Sequence, residues 1–258
     1  MKDQCTMSGT LLVERLFACD VLLGRPYQPH PFHEPTLSDM KERFERFPIE
    51  RALVRSAAGN YAQPDLANAA LRRMLEGQTA FEGVFQAEVL DASLQLEQMQ
   101  KYGLRAVTLK GNNNYRPFPL FPWCCGELYE ILEEKKIPLL LEWGNIVPNE
   151  LHEAMKNFPG MRVILLAVPR NGRQSIVEML MKQHDELYLC LHTRFSVFGG
   201  YPALCRQFGN HRFVWGCNYP DAEEGAAVTG LFYSGLDPES MEAVAHGNME
   251  RLLSEVTI

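Results

Sequence analysis

No stretch of this 258-residue sequence approaches the roughly 18–20 consecutive apolar residues that span a bilayer. The opening MKDQCTMSGT holds no basic segment followed by an apolar one, so no export signal is expected. Basic residues are too few to favour nucleic acid or an anionic membrane as a partner. There are 25 Lys and Arg against 32 Asp and Glu, a formal net charge of −7. The seven cysteines (Cys5, Cys19, Cys124, Cys125, Cys190, Cys205 and Cys217) include no CxxC pair, and their number is odd. That usage fits a reducing compartment, and the cytoplasm is the expected location. Low-complexity tracts, charge blocks and linkers are missing as well, so residues 1–258 are expected to form a single domain.

What is present is an alternation. Short β-branched or Leu-rich runs predict strands over 13–23, 50–57, 81–88, 104–110, 137–143, 162–168, 187–193 and 212–218. Amphipathic spacing predicts helices over 65–76, 91–102, 126–135, 149–157, 173–183 and 237–253. Asp237 and Pro238 suit the N-cap and first position of the last one. Strands separated by helices, with almost no room for hairpins, imply a parallel sheet, and eight such units close into a (β/α)8 TIM barrel. An open doubly wound sheet is the alternative, but it lacks the glycine-rich phosphate loop expected after an early strand.

Barrel chemistry sits at the C-terminal ends of the strands. The polar residues there are Asp20, Lys110, Glu142, His192, Arg194 and Asn218, with Arg55 and Glu88 as further candidates. Which of them face inward depends on register. The last strand, RFVWGCNYP (212–220), delivers Asn218, an amide that cannot take a proton near neutrality. If Asn218 points into the mouth, Cys217 points away from it. Cys19 and Cys217 are then read as small buried hydrophobes.

Three stretches carry a family resemblance. FVWGCNYP (213–220) is similar to the Gly-Ser-Asp-Tyr-Pro-like strand-eight run of the amidohydrolase-related TIM-barrel hydrolases and decarboxylases. GLDPESMEAVAHGNMERLL (235–253) resembles the closing helix of that family, and FACDVLLG (17–24) its first strand, which normally reads Asp-Ala-His-x-His-x-Gly. Coarse agreement continues through KIPLLLEWG (136–144). The resemblance implies a barrel with a hydrolase-like site at its mouth. In that family a divalent ion lowers the pKa of a bound water to about 7, and an Asp orients or deprotonates it. Here Asp20 and Leu22 stand where two histidines would, Glu142 and Ala167 or Val168 where others would, and Asn218 where the Asp would. The expectation is a degenerate metal site and no cofactor. A rebuilt zinc-type site of Asp20, Glu142 and His192 is the less favoured alternative.

The competing reading is a salt-bridged layer in which Lys110 pairs Glu142 or Asp20 and His192 hydrogen-bonds alongside. So rich a buried charge cluster is seldom kept for stability alone, because desolvation cancels much of the Coulomb gain. The candidate catalytic set is Asp20, Lys110, Glu142, His192 and Asn218. His192 would act as general base, a carboxylate would orient it, and Lys110 and Asn218 would donate to a developing oxyanion. Arg116, Arg170 and Arg194 are the candidate clamps for a carboxylate. Loop 24–35, with Tyr27, His30, Phe32 and His33, reads as a lid, and loop 111–123 as a stiff wall. The expected function is hydrolase-like action on, or binding of, a small polar carboxylate-bearing molecule. The alternative is an inactive relative that binds a ligand or a protein. Barrels of this kind often pair, which leaves a homodimer open.

Overall fold

The computed structural model describes residues 13–26, 35–111, 117–171, 173–195 and 199–258. Its strands are β1 (Leu16–Leu23), β2 (Ile49–Ser56), β3 (Phe81–Gly83), β4 (Phe85–Gln86), β5 (Val107–Thr108), β6 (Leu139–Glu142), β7 (Val163–Leu166), β8 (Leu187–Leu191) and β9 (Phe213–Trp215). All the pairings among them are parallel. β3 and β4 are one predicted strand interrupted at Val84, whose N–H still donates to Val54 O at 2.8 Å. The hydrogen-bonded order is β1-β2-β3, then β4 through β9. At the far end Leu22 N donates to Tyr219 O at 3.0 Å, which brings the chain after β9 back onto β1.

The strands read as continuous apolar runs because both faces are covered. One face builds an inner cluster of Phe17, Cys19, Leu53, Leu140, Ile164 and Cys190 with their neighbours. The other face packs against the helices in a second cluster that includes Ala18, Ala52, Leu139, Leu141 and Cys217. This fixes the register that the sequence leaves open. Residues 53, 140, 190 and 214 face inward, so Arg55, Glu142, His192, Gly216 and Asn218, two positions further on each strand or later, lie on the same inner side. Cys217 lies on the opposite side, as alternation requires.

β1 is the exception to simple alternation. Ala18 pairs with Ala52 but Val21 pairs with Val54, so β1 carries one extra residue there. Such a bulge re-aims a side chain. It lets Asp20 follow Cys19 to the interior.

Helices α1 (Leu37–Phe44), α2 (Pro64–Met74), α3 (Ala92–Tyr102), α4 (Pro122–Glu134), α5 (Pro148–Asn157), α6 (Gln174–Gln183), α7 (Gly200–Phe208) and α8 (Glu224–Phe232) lie between and after the strands. Three of these, α1, α7 and α8, have no counterpart in the sequence prediction. The α1 helix has a cap signature, since Thr36 Oγ1 accepts Asp39 N at 3.1 Å. The α7 and α8 segments carry internal Gly, Pro or small residues that weaken a helical pattern.

The predicted 237–253 helix forms in three pieces: α9 (Pro238–Glu242), a π-helical turn (Ala243–Gly247) and α10 (Asn248–Ser254). Asp237 caps α9 by accepting Ser240 N at 2.9 Å. Asn248 donates to Asn210 O and Phe213 O, both at 2.8 Å. Met249, Leu252 and Leu253 join the inner cluster and close it from the end opposite the mouth. Among the described residues, no helix is long and apolar enough to cross a membrane.

Leu252 is fully buried in that plug. Leu252→Ala should cost about 2–5 kcal/mol, read as a lower denaturant midpoint with an unchanged m-value.

Candidate functional site

A cavity of about 280 Å³ opens at the C-terminal ends of the strands. Asp20, Leu22, Arg55, Glu142, Ala167 and Asn218 are among its walls, and Trp143, Arg194 and Asp221 also line it. Two of its wall residues, Ala167 and Asn218, take left-handed backbone conformations with φ of +53° and +56°. Asn tolerates that region far better than most residues, which gives the amide at 218 a backbone reason. Strained positions of this kind gather at functional sites.

Glu142 is the hub. Its Oε1 accepts Arg55 Nη1. Its Oε2 lies 3.4 Å from Lys110 Nζ and accepts Asn145 Nδ2 at 3.1 Å. Burial by itself would raise the Glu142 pKa, but Lys110 and Arg55 outweigh it and hold the carboxyl well below the usual range. Burial lowers the pKa of Lys110, and Glu142 offsets this only in part. Arg55 Nη2 also donates to Asp20 O at 3.4 Å.

Asp20 is held differently. Both of its carboxylate oxygens accept Asn218 N at 3.0 Å, and Cys190 Sγ is 3.8 Å from Oδ2. The space it occupies exists because residue 216 is glycine. A Cβ there would sit 2.4 Å from Asp20 Cγ and 2.5 Å from both oxygens. The bulge in β1 and the bare backbone of Gly216 are therefore two halves of one arrangement.

His192 is almost completely buried and does not line the cavity. Its Nδ1 accepts Arg194 N at 3.3 Å, so the ring proton resides on Nε2. Burial lowers its pKa, against the pull of Asp20, and the ring is neutral at pH 7.

Of the predicted clamps, Arg194 lines the cavity. Its side chain is 52% exposed, with a loose 3.9 Å pair to Asp221. Arg170 is not among the lining residues, and it donates to its neighbour Asn171 at 3.4 Å. Arg116 lies outside the described residues, as do Tyr27, His30, Phe32 and His33. The predicted Lys110–Glu142 pair forms. Arg55, a further candidate in the sequence, is the closer partner of Glu142. Gly216 was missed as a site residue, although a Gly two places before the strand-end Asn was visible.

No family model matches the sequence, and no curated protein matches it. Solved structures do. An uncharacterised TIM-barrel protein from Bordetella bronchiseptica is 18% identical, with a TM-score of 0.73, over 93% of this chain and 99% of that one. A 2,6-dihydroxybenzoate decarboxylase from Rhizobium is 10% identical, with a TM-score of 0.75, over 94% of this chain and 99% of that one. A dihydroxybenzoic acid decarboxylase from Polaromonas is 12% identical, with a TM-score of 0.72, over 94% and 97%. It was solved with bound manganese and the inhibitor 2-nitroresorcinol. The likeness shows that this chain has the TIM-barrel fold of these proteins.

The manganese in that neighbour overturns the expectation that the site takes no cofactor, since a barrel of the same fold was solved with a metal bound. The side chains described here do not match a manganese cage. Among the described residues, no group of three or more His, Cys, Asp and Glu gathers where it could hold an ion. Glu142 is occupied by two cations and Asp20 by a backbone N–H, while Leu22 and Ala167 bring no donor atom.

Gly216→Ala should displace Asp20 and destabilise the fold by about 1–3 kcal/mol, measurable by chemical denaturation. Glu142→Gln leaves Arg55 and Lys110 without their shared counter-charge and should cost on the order of 3 kcal/mol at neutral pH. The wild-type carboxylate has a depressed pKa, so its contribution is complete above the unfolded value. The gap between wild type and Glu142→Gln should therefore shrink as pH falls below about 4, as followed by denaturation across pH.

Proposed function

We propose that the barrel mouth binds a small, polar, carboxylate-bearing molecule, in the manner of an amidohydrolase-like protein. The observation that carries this reading is a pair of buried donors on the cavity wall. Arg55 Nε and Asn218 Nδ2 have no acceptor among the described residues. A buried donor left without a partner costs about 1–3 kcal/mol, and a carboxylate supplies acceptors for both. Arg194 stands at the rim with its guanidinium half free to join them. Lys110 and Glu142 hold Arg55 in position, and Asp20 holds the backbone turn that presents Asn218. The carboxylic acids named for the structural neighbours support the same ligand class.

Binding without turnover is the second reading, and one feature favours it. Among the described residues, the two inner carboxylates of the mouth are not placed to accept a proton, and Asp221 lies at the rim beside Arg194. Glu142 and Asp20 are both committed, and His192, whose Nδ1 accepts from Arg194 N, does not line the cavity. His192 then positions the loop through Arg194 N and is not the base that the sequence suggested.

The test is isothermal titration with benzoate and 2,6-dihydroxybenzoate, with and without added manganese, alongside a product assay. Binding should be measurable at millimolar ligand and level between about pH 7 and 8, because Glu142 stays ionised and burial keeps His192 neutral there. Asn218→Asp, which sets a second carboxylate beside Asp20, should weaken it about tenfold or more. Arg194→Gln should weaken it less and leave the melting temperature unchanged. No binding under any of these conditions defeats the proposal. Product formation with added metal selects the enzyme, and binding without product selects the second reading.

A further inference from the structure

A second cavity, of about 230 Å³, lies beside the first at the ends of β2, β4 and β5. Its walls differ in character. Tyr61, Pro64, Val89, Pro117 and Phe118 supply rings and aliphatic surface. The backbone behind them is already satisfied. Asn68 bonds both the N–H and the C=O of Gln86, at 2.8 and 3.0 Å. Gln95 does the same for Glu88, at 2.8 and 3.1 Å. The main chain of this wall therefore asks little of a ligand, and what it offers is apolar contact.

Lys110 lines this second cavity, and its ammonium is 3.4 Å from Glu142, which lines the first. This ion pair therefore lies on the boundary between the two spaces. Each falls below the roughly 300–1,000 Å³ of ordinary ligand sites, and together they reach that range. At the far wall is Glu88, half-buried, whose carboxylate makes no ion pair among the described residues.

We infer that the second cavity is a specificity subsite. It takes the apolar body of a ligand whose carboxylate sits in the first cavity, and Glu88 selects an ammonium group at the far end of that body. The inference rests on the proposed carboxylate-binding function. It adds a ligand class to it: an acid and an amine held apart by a rigid apolar spacer. A like-charged acid at the far end is disfavoured by Glu88, and a purely aliphatic acid leaves the aromatic wall unused. The Lys110–Glu142 pair serves as the sill over which the spacer lies.

Titration with 4-methylbenzoate and 4-(aminomethyl)benzoate tests it. The amine should bind about tenfold more tightly than the methyl compound. Glu88→Gln should remove that advantage and leave 4-methylbenzoate unchanged. Phe118→Ala should weaken both ligands about tenfold without altering the response to Arg194→Gln. Ala62→Phe, which fills the space from its half-exposed edge, should do the same if Phe118→Ala perturbs folding. Failure of 4-methylbenzoate to bind at all overturns the carboxylate site itself. Binding that is indifferent to Phe118→Ala, Ala62→Phe and Glu88→Gln overturns the second subsite and leaves the first standing.

Discussion

The barrel mouth is organised by one carboxylate that neutralises two buried cations. Arg55 and Lys110 come from strands separated by the β3–β4 segment; burial pulls Lys110 toward its neutral form, and Arg55, which stays charged, would be an uncompensated buried cation without a counter-ion. Glu142 supplies it from β6 and thereby ties three parts of the ring together. Desolvation makes such a triad a poor source of stability compared with apolar packing. Its value is that it fixes where a guanidinium sits. The donor face of the cavity follows from that placement.

The second constraint is the seam between β1 and the chain after β9. There the extra residue in β1, the missing side chain at Gly216 and the left-handed backbone at Asn218 are one device. Asp20 fits only because Gly216 is bare, and it accepts the Asn218 N–H only because that turn presents it. An aspartate at 218 would set two carboxylates in this pocket, so an amide suits both the backbone and the charge.

Much of this was legible in the sequence. Every predicted strand has its counterpart, because parallel strands buried on both faces leave continuous apolar runs that need no partner to be seen. Asp237 could be read as a capping residue, since that bond is local. The Lys110–Glu142 pair could be read from strand-end placement. The α8 helix could not, because its small and glycine-rich segment has little amphipathic periodicity and gains its helicity from packing against the barrel.

The sequence by itself determined the fold class and the list of polar residues delivered to the strand ends. Both are set by one-dimensional patterns of apolar residues, which local geometry converts directly into strands and their order. Tertiary structure alone decided which of those residues meet. A one-residue bulge in β1 turned Asp20 inward, the ring brought Arg55 rather than Asp20 to Glu142, and His192 was tucked behind the wall. Pairings of that kind depend on register and closure across up to about two hundred residues of chain, and no local pattern records them.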